Sequence, residues 1–282
     1  LTALFIIASG ATFLETVANP YITKLGDPAT SEQRLNFAQS FNGVGAFVAP
    51  IVGGQFILSG IEHSKEELAA MSPDALNQYL LGEASTVKIP YLIIAVVVLL
   101  VTALFFVAKI QDFKAEEGEE EHKFSINIFR HSHVTWAVIA QLFYVGAQVC
   151  VGSFFIRYTK QVMDMPEKDA ATWWTFAMVG FMAGRFAGTF LMKYVKASKL
   201  LSLYSIINIC LLTVAILGKG SIAVYAVATV PFFMSIMFPT IFALGIKDLG
   251  EEGKIASSFI VMAIVGGAIF PLFMGMISDA TS

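Results

Sequence analysis

Charge is the first thing this sequence lacks: 14% of its residues are Asp, Glu, Lys or Arg, against about 25% in an ordinary soluble domain. With 56% of the 282 residues hydrophobic and a mean hydropathy of +0.72, a fold solvated by water on all sides is excluded. Cysteine is nearly absent. Cys150 and Cys210 each lie inside an apolar run, which excludes a disulfide framework and a thiolate zinc site. His63, His122, His131 and His133 all fall in connections or at the edges of apolar runs, so no metal-ligand constellation is expected. No apolar run holds a carboxylate pair or a nucleophile beside a base, which removes the usual equipment of an intramembrane enzyme. The formal net charge is only −3 and no basic patch interleaved with aromatics occurs, so nucleic acid is not an expected partner. A signal peptide is missing too: the chain opens at Leu1 within an apolar run, without a basic leader or a cleavage pattern, and reads as a piece whose start is arbitrary.

What is abundant are runs long enough to cross a bilayer, which takes about 20 mostly apolar residues. Eight are expected, near 1–23, 35–59, 89–109, 134–156, 171–192, 198–217, 221–246 and 256–277. Sorted by connection, one face gathers Lys24, Arg34, Lys109, Lys114, Lys123, Arg130, Lys193, Lys196, Lys199, Lys247 and Lys254. The other has Lys65, Lys88, Arg157, Lys160, Lys168 and Lys219. The richer face is read as cytoplasmic, which places both ends of the chain outside. Ser64-Lys-Glu-Glu67 fits a capping box and Ser72-Pro73 an N-cap with proline at the first helical position, predicting short surface helices within 64–81. Glu116-Glu-Gly-Glu-Glu-Glu121 is a self-repelling solvated tether.

An internal repeat organises the spans. Pro20-x4-Leu25-Gly26 recurs as Pro239-x4-Leu244-Gly245, and Gly45-x4-Pro50-x3-Gly54 as Gly266-x4-Pro271-x3-Gly275. Spans one and two therefore correspond to spans seven and eight, with a period of six helices. That is the parallel repeat of a transporter built from two six-helix halves, whose substrate site lies near the midplane between them. The predicted division is 1–109 as the last three helices of an N-terminal half, 110–131 as a cytoplasmic linker, and 132–282 as the first five helices of a C-terminal half. Three helices in front and one behind would complete the unit.

Ionised side chains at mid-bilayer cost about 2.5–3.5 kcal/mol on insertion scales and tend to face a cavity or a partner. Glu15 sits within an apolar run and has no cation at i±3 or i±4, so a proton-carrying role is the natural expectation for it. Asn19, four residues on, shares its helix face. In the next span Gln39 and Asn42 are three apart and offer amide donors and acceptors of the kind sugar hydroxyls need. From spacing alone they could equally be interhelical hydrogen-bonding groups. Aligning the two repeat copies puts Met234 opposite Glu15, Ile260 opposite Gln39 and Ala263 opposite Asn42. The scaffold itself does not require the polar groups, which favours a substrate or proton role. In span four, Gln141, Tyr144 and Gln148 stand at i, i+3 and i+7, a polar face suited to a sugar. Asn208, alone on its helix, is a further candidate. Arg185, in Gly184-Arg-Phe-x-Gly188, is expected to snorkel to the inner end and act as a conformational latch with inner-face carboxylates. Tyr158, Trp173 and Trp174 are expected in an outer aromatic belt.

The stretch Leu14-Glu-Thr-Val-Ala-Asn-Pro-Tyr21, followed by Arg34-Leu-Asn-Phe-Ala-Gln-Ser-Phe-Asn-Gly-Val-Gly-Ala46, closely resembles the fucose–galactose–glucose proton symporter family of the major facilitator superfamily. Tyr144-Val-Gly-Ala-Gln148, Phe155-Ile-Arg-Tyr158, Gly184-Arg-Phe186, Pro239-Thr-Ile-Phe242, Gly245-Ile-Lys247 and Ser257-Ser-Phe-Ile-Val-Met262 resemble that family's later helices in the same order. The resemblance implies an all-α, polytopic bundle in the cell's inner membrane, a monosaccharide taken up with a proton by alternating access, and no cofactor beyond that proton. It matches Glu15 to the family's fourth-helix carboxylate, and Gln39 and Asn42 to its fifth-helix sugar-facing amides. The family's other functional carboxylate, an aspartate on its first helix, would precede Leu1. A monomer is expected. The alternatives are a major facilitator transporter of another small solute, such as an oligosaccharide or amphiphile, and a non-transporting membrane sensor.

Overall fold

The computed structural model describes residues 2–56, 67, 70–86, 88–108 and 126–281. Their regular structure is all helical: α1 (Thr2–Lys24), α2 (Ser31–Phe56), α3 (Pro73–Thr86), α4 (Lys88–Val107), α5 (Ser132–Met163), α6 (Glu167–Leu191), α7 (Ala197–Leu217), α8 (Ser221–Met234), α9 (Met237–Gly245), α10 (Gly253–Met262) and α11 (Gly266–Thr281). In hydrocarbon each backbone N–H and C=O has to find its partner inside its own segment, so even the β-branched run of α4 is helical. Two compact units form, Leu1–Val44 with Gly118–Ser282, and Gly45–Glu117, the boundary falling within α2.

Each of the eight expected spans is helical over nearly all of its described residues. The seventh is two helices, α8 and α9, and the eighth is likewise divided into α10 and α11 by a 3-10 turn at Ala263–Val265. Among the described residues, six spans are long and apolar enough to cross a membrane by length and composition. Neither α2 nor α6 is among them, because each gives part of its surface to polar or small residues. The surface helix is α3. Its Ser72 hydroxyl accepts from the Ala75 amide at 3.3 Å, as the Ser-Pro pair predicts, though the helix runs on to Thr86. Residues 64–66 of the capping box and the acidic tether at 116–121 lie outside the described residues.

In the larger unit α5 is the central element, packed against α6, α8, α9, α10 and α11. Its 32 residues reach about 48 Å at 1.5 Å per residue, past the roughly 30 Å hydrocarbon core. Asp164, in left-handed conformation, ends it. Glycines set how close the neighbours come. A Cβ on Gly266 would overlap the Leu142 carbonyl of α5, and one on Gly245 would sit 2.5 Å from the Ala137 Cβ. The break between α8 and α9 has a local cause: Pro239 has no N–H to close on the carbonyl of Ser235, and the helix is interrupted there.

Tyr158, Trp173 and Trp174 depart from the belt expectation. The two indoles are half-buried and pack around the Phe155, Val224 and Val227 cluster, Trp174 lying 5.2 Å from the Phe155 ring, and the Tyr158 hydroxyl donates to the Ala215 carbonyl at 2.7 Å. They lie towards the end of the bundle at which α5 finishes, at Met163.

At the opposite end, α1 and α2 are tied to the later helices by polar contacts. Lys247 donates to Glu32 at 2.8 Å, Lys24 to Glu251 at 3.1 Å, Gln33 to the Thr189 carbonyl at 3.1 Å, and Asn36 to the Thr240 hydroxyl at 3.0 Å. Lys247 lies just beyond α9, and the hydrogen bond to Glu32 raises its pKa above the ordinary lysine value against the opposing effect of burial, with help from the charges of Glu32 and Asp248. A raised lysine contributes stability that is fully present below the unfolded value near 10.4 and is lost as pH rises through the folded one. The pair is therefore intact throughout the neutral range.

Two predictions follow from these contacts. Gly266→Ala should lower thermal stability in detergent by about 1–3 kcal/mol, as overpacking does, while Gly180→Ala, with nothing within 4 Å of the new Cβ, should not; equal melting of both variants would show that the α5–α11 contact is not tight. Glu32 has 8% of its side chain exposed and Lys247 45%, so Lys247→Gln, which strands a buried carboxylate, should destabilise more than Glu32→Gln, which leaves a cation able to reach water. Melting curves of the two single variants at pH 7 check the order.

Candidate functional site

The candidate site begins on α1. Glu15 is half-buried and Asn19 buried, on one face four residues apart. Pro20, inside the helix, withholds the amide that would close on the Thr16 carbonyl, and the Thr23 hydroxyl turns back to the Pro20 carbonyl at 2.7 Å.

Across from this face lies α2, whose buried polar stripe is longer than the two amides singled out by spacing. Glu32, Asn36 and Ser40 are buried, as is Gly43, and Gln39 is half-buried among them. The Gln39 side-chain nitrogen donates to the Asn19 side-chain oxygen Oδ1 at 2.9 Å, which joins α1 to α2. Asn36 bonds at once to the Glu32 carbonyl and to Thr240. Asn42, one turn beyond Gln39, is exposed. The stripe could have been found as Glu32, Asn36, Gln39, Ser40 and Gly43, the i, i+4, i+7, i+8, i+11 positions of one face. Asn42 lies off it.

Arg185 of α6 completes the cluster and corrects the sequence expectation. It is buried, 5% exposed, and no inner-face carboxylate pairs with it among the described residues. Its Nη1 donates to the Gln39 main-chain carbonyl and lies 3.4 Å from Gln39 Oε1, and its guanidinium sits 4.8 Å over the Phe181 ring. Glycines explain why it cannot snorkel. A Cβ on Gly184 would overlap the Phe232 carbonyl and one on Gly188 the Ile236 side chain, so α6 is pressed against the α8–α9 break, and Arg185, about a quarter-turn round the helix from that face, reaches α2. There Gly43 leaves room: its Cβ would stand 3.2 Å from the Arg185 Cδ. Glu15 and Tyr144 both lie within electrostatic reach of the guanidinium. Arg185 Nε is buried without a partner.

The polar face expected on α5 divides three ways. The hydroxyl of Tyr144, which is buried, donates to the Met234 carbonyl at 2.9 Å, a carbonyl at the end of α8 where the helix stops. Gln141 is fully buried, and neither of its amide atoms has a partner. Gln148 is half-buried. The three do not form one open face, because Gln141 and Tyr144 are buried on the side of α5 that packs against the later helices. Asn208 of α7 is buried with both amide atoms unpartnered. The structure thus brings together Glu15, Asn19, Gln39, Arg185 and Tyr144, and leaves Gln141, Gln148 and Asn208 in the packing of the later helices. Among the described residues no group of three or more His, Cys, Asp or Glu could hold a metal ion.

Chemically, the cluster offers one acid, one fixed cation and two amides on facing helices, with an exposed amide beside them. This can exchange a proton at a carboxyl group and present donors and acceptors to a polyhydroxylated solute.

The sequence is similar to known transporters. The family model described as Major Facilitator Superfamily matches residues 1–271. The L-fucose-proton symporter of Escherichia coli (strain K12) is 41% identical over 287 residues, covering 99% of this chain and 66% of that protein. A glucose/galactose transporter of Brucella abortus biovar 1 (strain 9-941) is 36% identical over 282 residues, covering 99% of this chain and 65% of that protein. The chain therefore spans just under two thirds of the length of these relatives. The crystal structure of the E. coli fucose:proton symporter matches with a TM-score of 0.91 at 40% identity, over 99% of this chain and 70% of that one. A second crystal structure, of a Major Facilitator Superfamily transporter in the outward conformation, matches with a TM-score of 0.90 at 39% identity. A membrane-spanning chain that is helical in its described regular structure, matched by the family model over nearly its whole length and by solved structures at this identity, belongs to the Major Facilitator Superfamily.

Proposed function

We propose that this chain is the central part of a proton-coupled monosaccharide symporter that works by alternating access in the cell's inner membrane, as a monomer, with the proton as coupling ion. The observation that carries the reading is the linked set Asn19–Gln39–Arg185 with Glu15 facing the same guanidinium. A carboxylate and a guanidinium in one low-dielectric site attract strongly, and protonating the acid removes that attraction. The proton thus changes how firmly α1 is held to α6, which is what a coupling group has to do.

In this reading Glu15 takes a proton from the outside. The sugar then binds against Gln39 and Asn42, with Asn19 beside them, and α1–α4 rock against α5–α11 as two halves. The polar ties at the cytoplasmic end, Lys247–Glu32 and Asn36–Thr240, part as the inner side opens. Glu15 then loses its proton inside and the cycle resets. Arg185 serves as the fixed cation that makes the ionised Glu15 bearable when no sugar is bound. Gln141, Tyr144, Gln148 and Asn208 enter as groups of the later half: the unpartnered amides of Gln141 and Asn208 become available to the substrate only when the α8–α9 break moves, and Tyr144 holds that break through Met234. Transport of a sugar is also the activity printed in the names of the relatives, L-fucose-proton symporter and glucose/galactose transporter.

The test uses the full-length protein in proteoliposomes, with L-fucose, D-galactose and D-glucose offered under a pH gradient and in counterflow. One of the sugars should accumulate with the gradient, and Glu15→Gln, a permanently neutral mimic of the protonated acid, should keep counterflow while losing accumulation. Undiminished gradient-driven accumulation by Glu15→Gln would overturn the coupling role. Transport of none of the three would overturn the monosaccharide assignment and direct the search to another small solute.

A further inference from the structure

A groove of about 370 Å³ lies between the start of α2 and the end of α6, lined by Gln33, Arg34, Phe37, Phe186, Thr189, Phe190 and Lys193. It is separate from the Glu15–Arg185 cluster and has no part in the proposed cycle. Its floor is aromatic: Phe37, Phe186 and Phe190 are 52%, 40% and 54% exposed. Its rim carries two cations. Lys193 lies 5.5 Å over the Phe190 ring and has no acid partner among the described residues. Arg34 gives its hydrogen bonds to neutral oxygens, the carbonyls of Ile22, Thr23 and Asp27 and the Thr30 hydroxyl, while the Asp27 carboxylate is engaged with the Ala29 amide. Among the described residues both positive charges are left without an ion pair, at the end of the bundle where the sequence concentrates its cations.

We propose that this groove is a binding site for an anionic phospholipid of the cytoplasmic leaflet, its headgroup held by Lys193 and Arg34 and one acyl chain laid along Phe37, Phe186 and Phe190. The chemistry fits each part. Basic pockets between spanning helices on the cytoplasmic side recognise acidic headgroups, and each Lys or Arg near an anionic membrane contributes about 1 kcal/mol. The three phenyl rings supply a surface that an acyl chain covers and a soluble anion does not. The chain's own acidic run, Glu116-Glu-Gly-Glu-Glu-Glu121, could meet the charges but brings no apolar side chain to the floor. Because the groove has one wall on α2 and the other on α6, beside the Gln33–Thr189 hydrogen bond, a lipid seated there favours the arrangement in which these two helix ends touch.

Full-length protein in phosphatidylcholine nanodiscs, doped with either phosphatidylglycerol or phosphatidylcholine bearing a photoactivatable acyl chain, tests this by mapping the labelled peptides. Phosphatidylglycerol should label peptides containing Phe37, Phe186 or Phe190 about thirtyfold more than phosphatidylcholine, the discrimination expected of two such charges. Lys193→Glu should abolish the preference, and Lys199→Glu, a cation outside the groove, should retain it. Equal labelling by the two lipids would overturn the proposal. So would loss of the preference in both variants, which would mean a general surface potential. Absence of lipid adducts together with crosslinks from residues 116–121 to Lys193 would overturn it in favour of the acidic run.

Discussion

A guanidinium that has left water must be surrounded by acceptors, and the arrangement of α1, α2 and α6 follows from how this is done for Arg185. Its charge is fixed at any attainable pH, so it cannot escape burial by giving up a proton. The neighbours therefore adapt: Gly43 yields the space of a side chain, Gln39 offers both its main-chain and its side-chain oxygen, and Phe181 presents a ring face. Asn19 comes to the site through Gln39, and Glu15 through the charge of Arg185 itself. Removing the cation would leave Gln39 an amide linking two helices, and Glu15 an acid with no counter-charge among these neighbours.

The fold was legible in the sequence because membrane helices are written in long apolar runs, and because such a run in lipid closes its backbone hydrogen bonds within itself only as a helix. The breaks in the last two spans were less so: proline at 239 marks a freed carbonyl, but whether a helix bends or stops there depends on what it packs against, here Gly184 and Gly188 of α6. In the site, Glu15, Asn19 and Gln39 were readable as polar residues sharing faces. Arg185 was misread because spacing along one helix tells which side chains are neighbours and says nothing of the helix opposite. The α5 face was overestimated for the same reason, since a helix in the centre of a bundle turns polar residues inward to its packing as well as toward a cavity. Tyr144 finds its acceptor only because α8 ends at Met234.

The internal repeat shows that one sequence mark can be used in two ways. Pro20 lies inside α1, and Gly26 turns the chain with a positive φ of 75° at the end of that helix. The corresponding Pro239 lies at the start of α9, and Gly245 lets that helix approach Ala137 and Ile260. The first copy uses its glycine for a turn and the second for contact. Polar groups were added to one copy alone, Glu15 and Gln39 having Met234 and Ile260 as counterparts. In the proposed transporter that asymmetry assigns the proton to the first half, and leaves the second half to supply the fixed cation and the helix break.

Gln39 is where proton and sugar meet in this scheme, and its valence sets the coupling. An amide has two N–H donors and one carbonyl oxygen. One donor is committed to Asn19, and the oxygen lies at 3.4 Å from Arg185, long for a hydrogen bond. A sugar hydroxyl that takes the oxygen withdraws it from Arg185, and the guanidinium then depends more on the Glu15 charge or on the Gln39 main chain. Conversely, protonating Glu15 makes Arg185 hold the Gln39 oxygen more firmly, unless the sugar supplies an acceptor of its own to the unpartnered Arg185 Nε. Linkage requires these two effects to be equal and reciprocal. A ligand that bonds only to amides would thus work against the proton, whereas one with an oxygen placed for Arg185 binds with it, and this makes the ring of hydroxyls on a monosaccharide a better co-substrate than a solute with a single polar end.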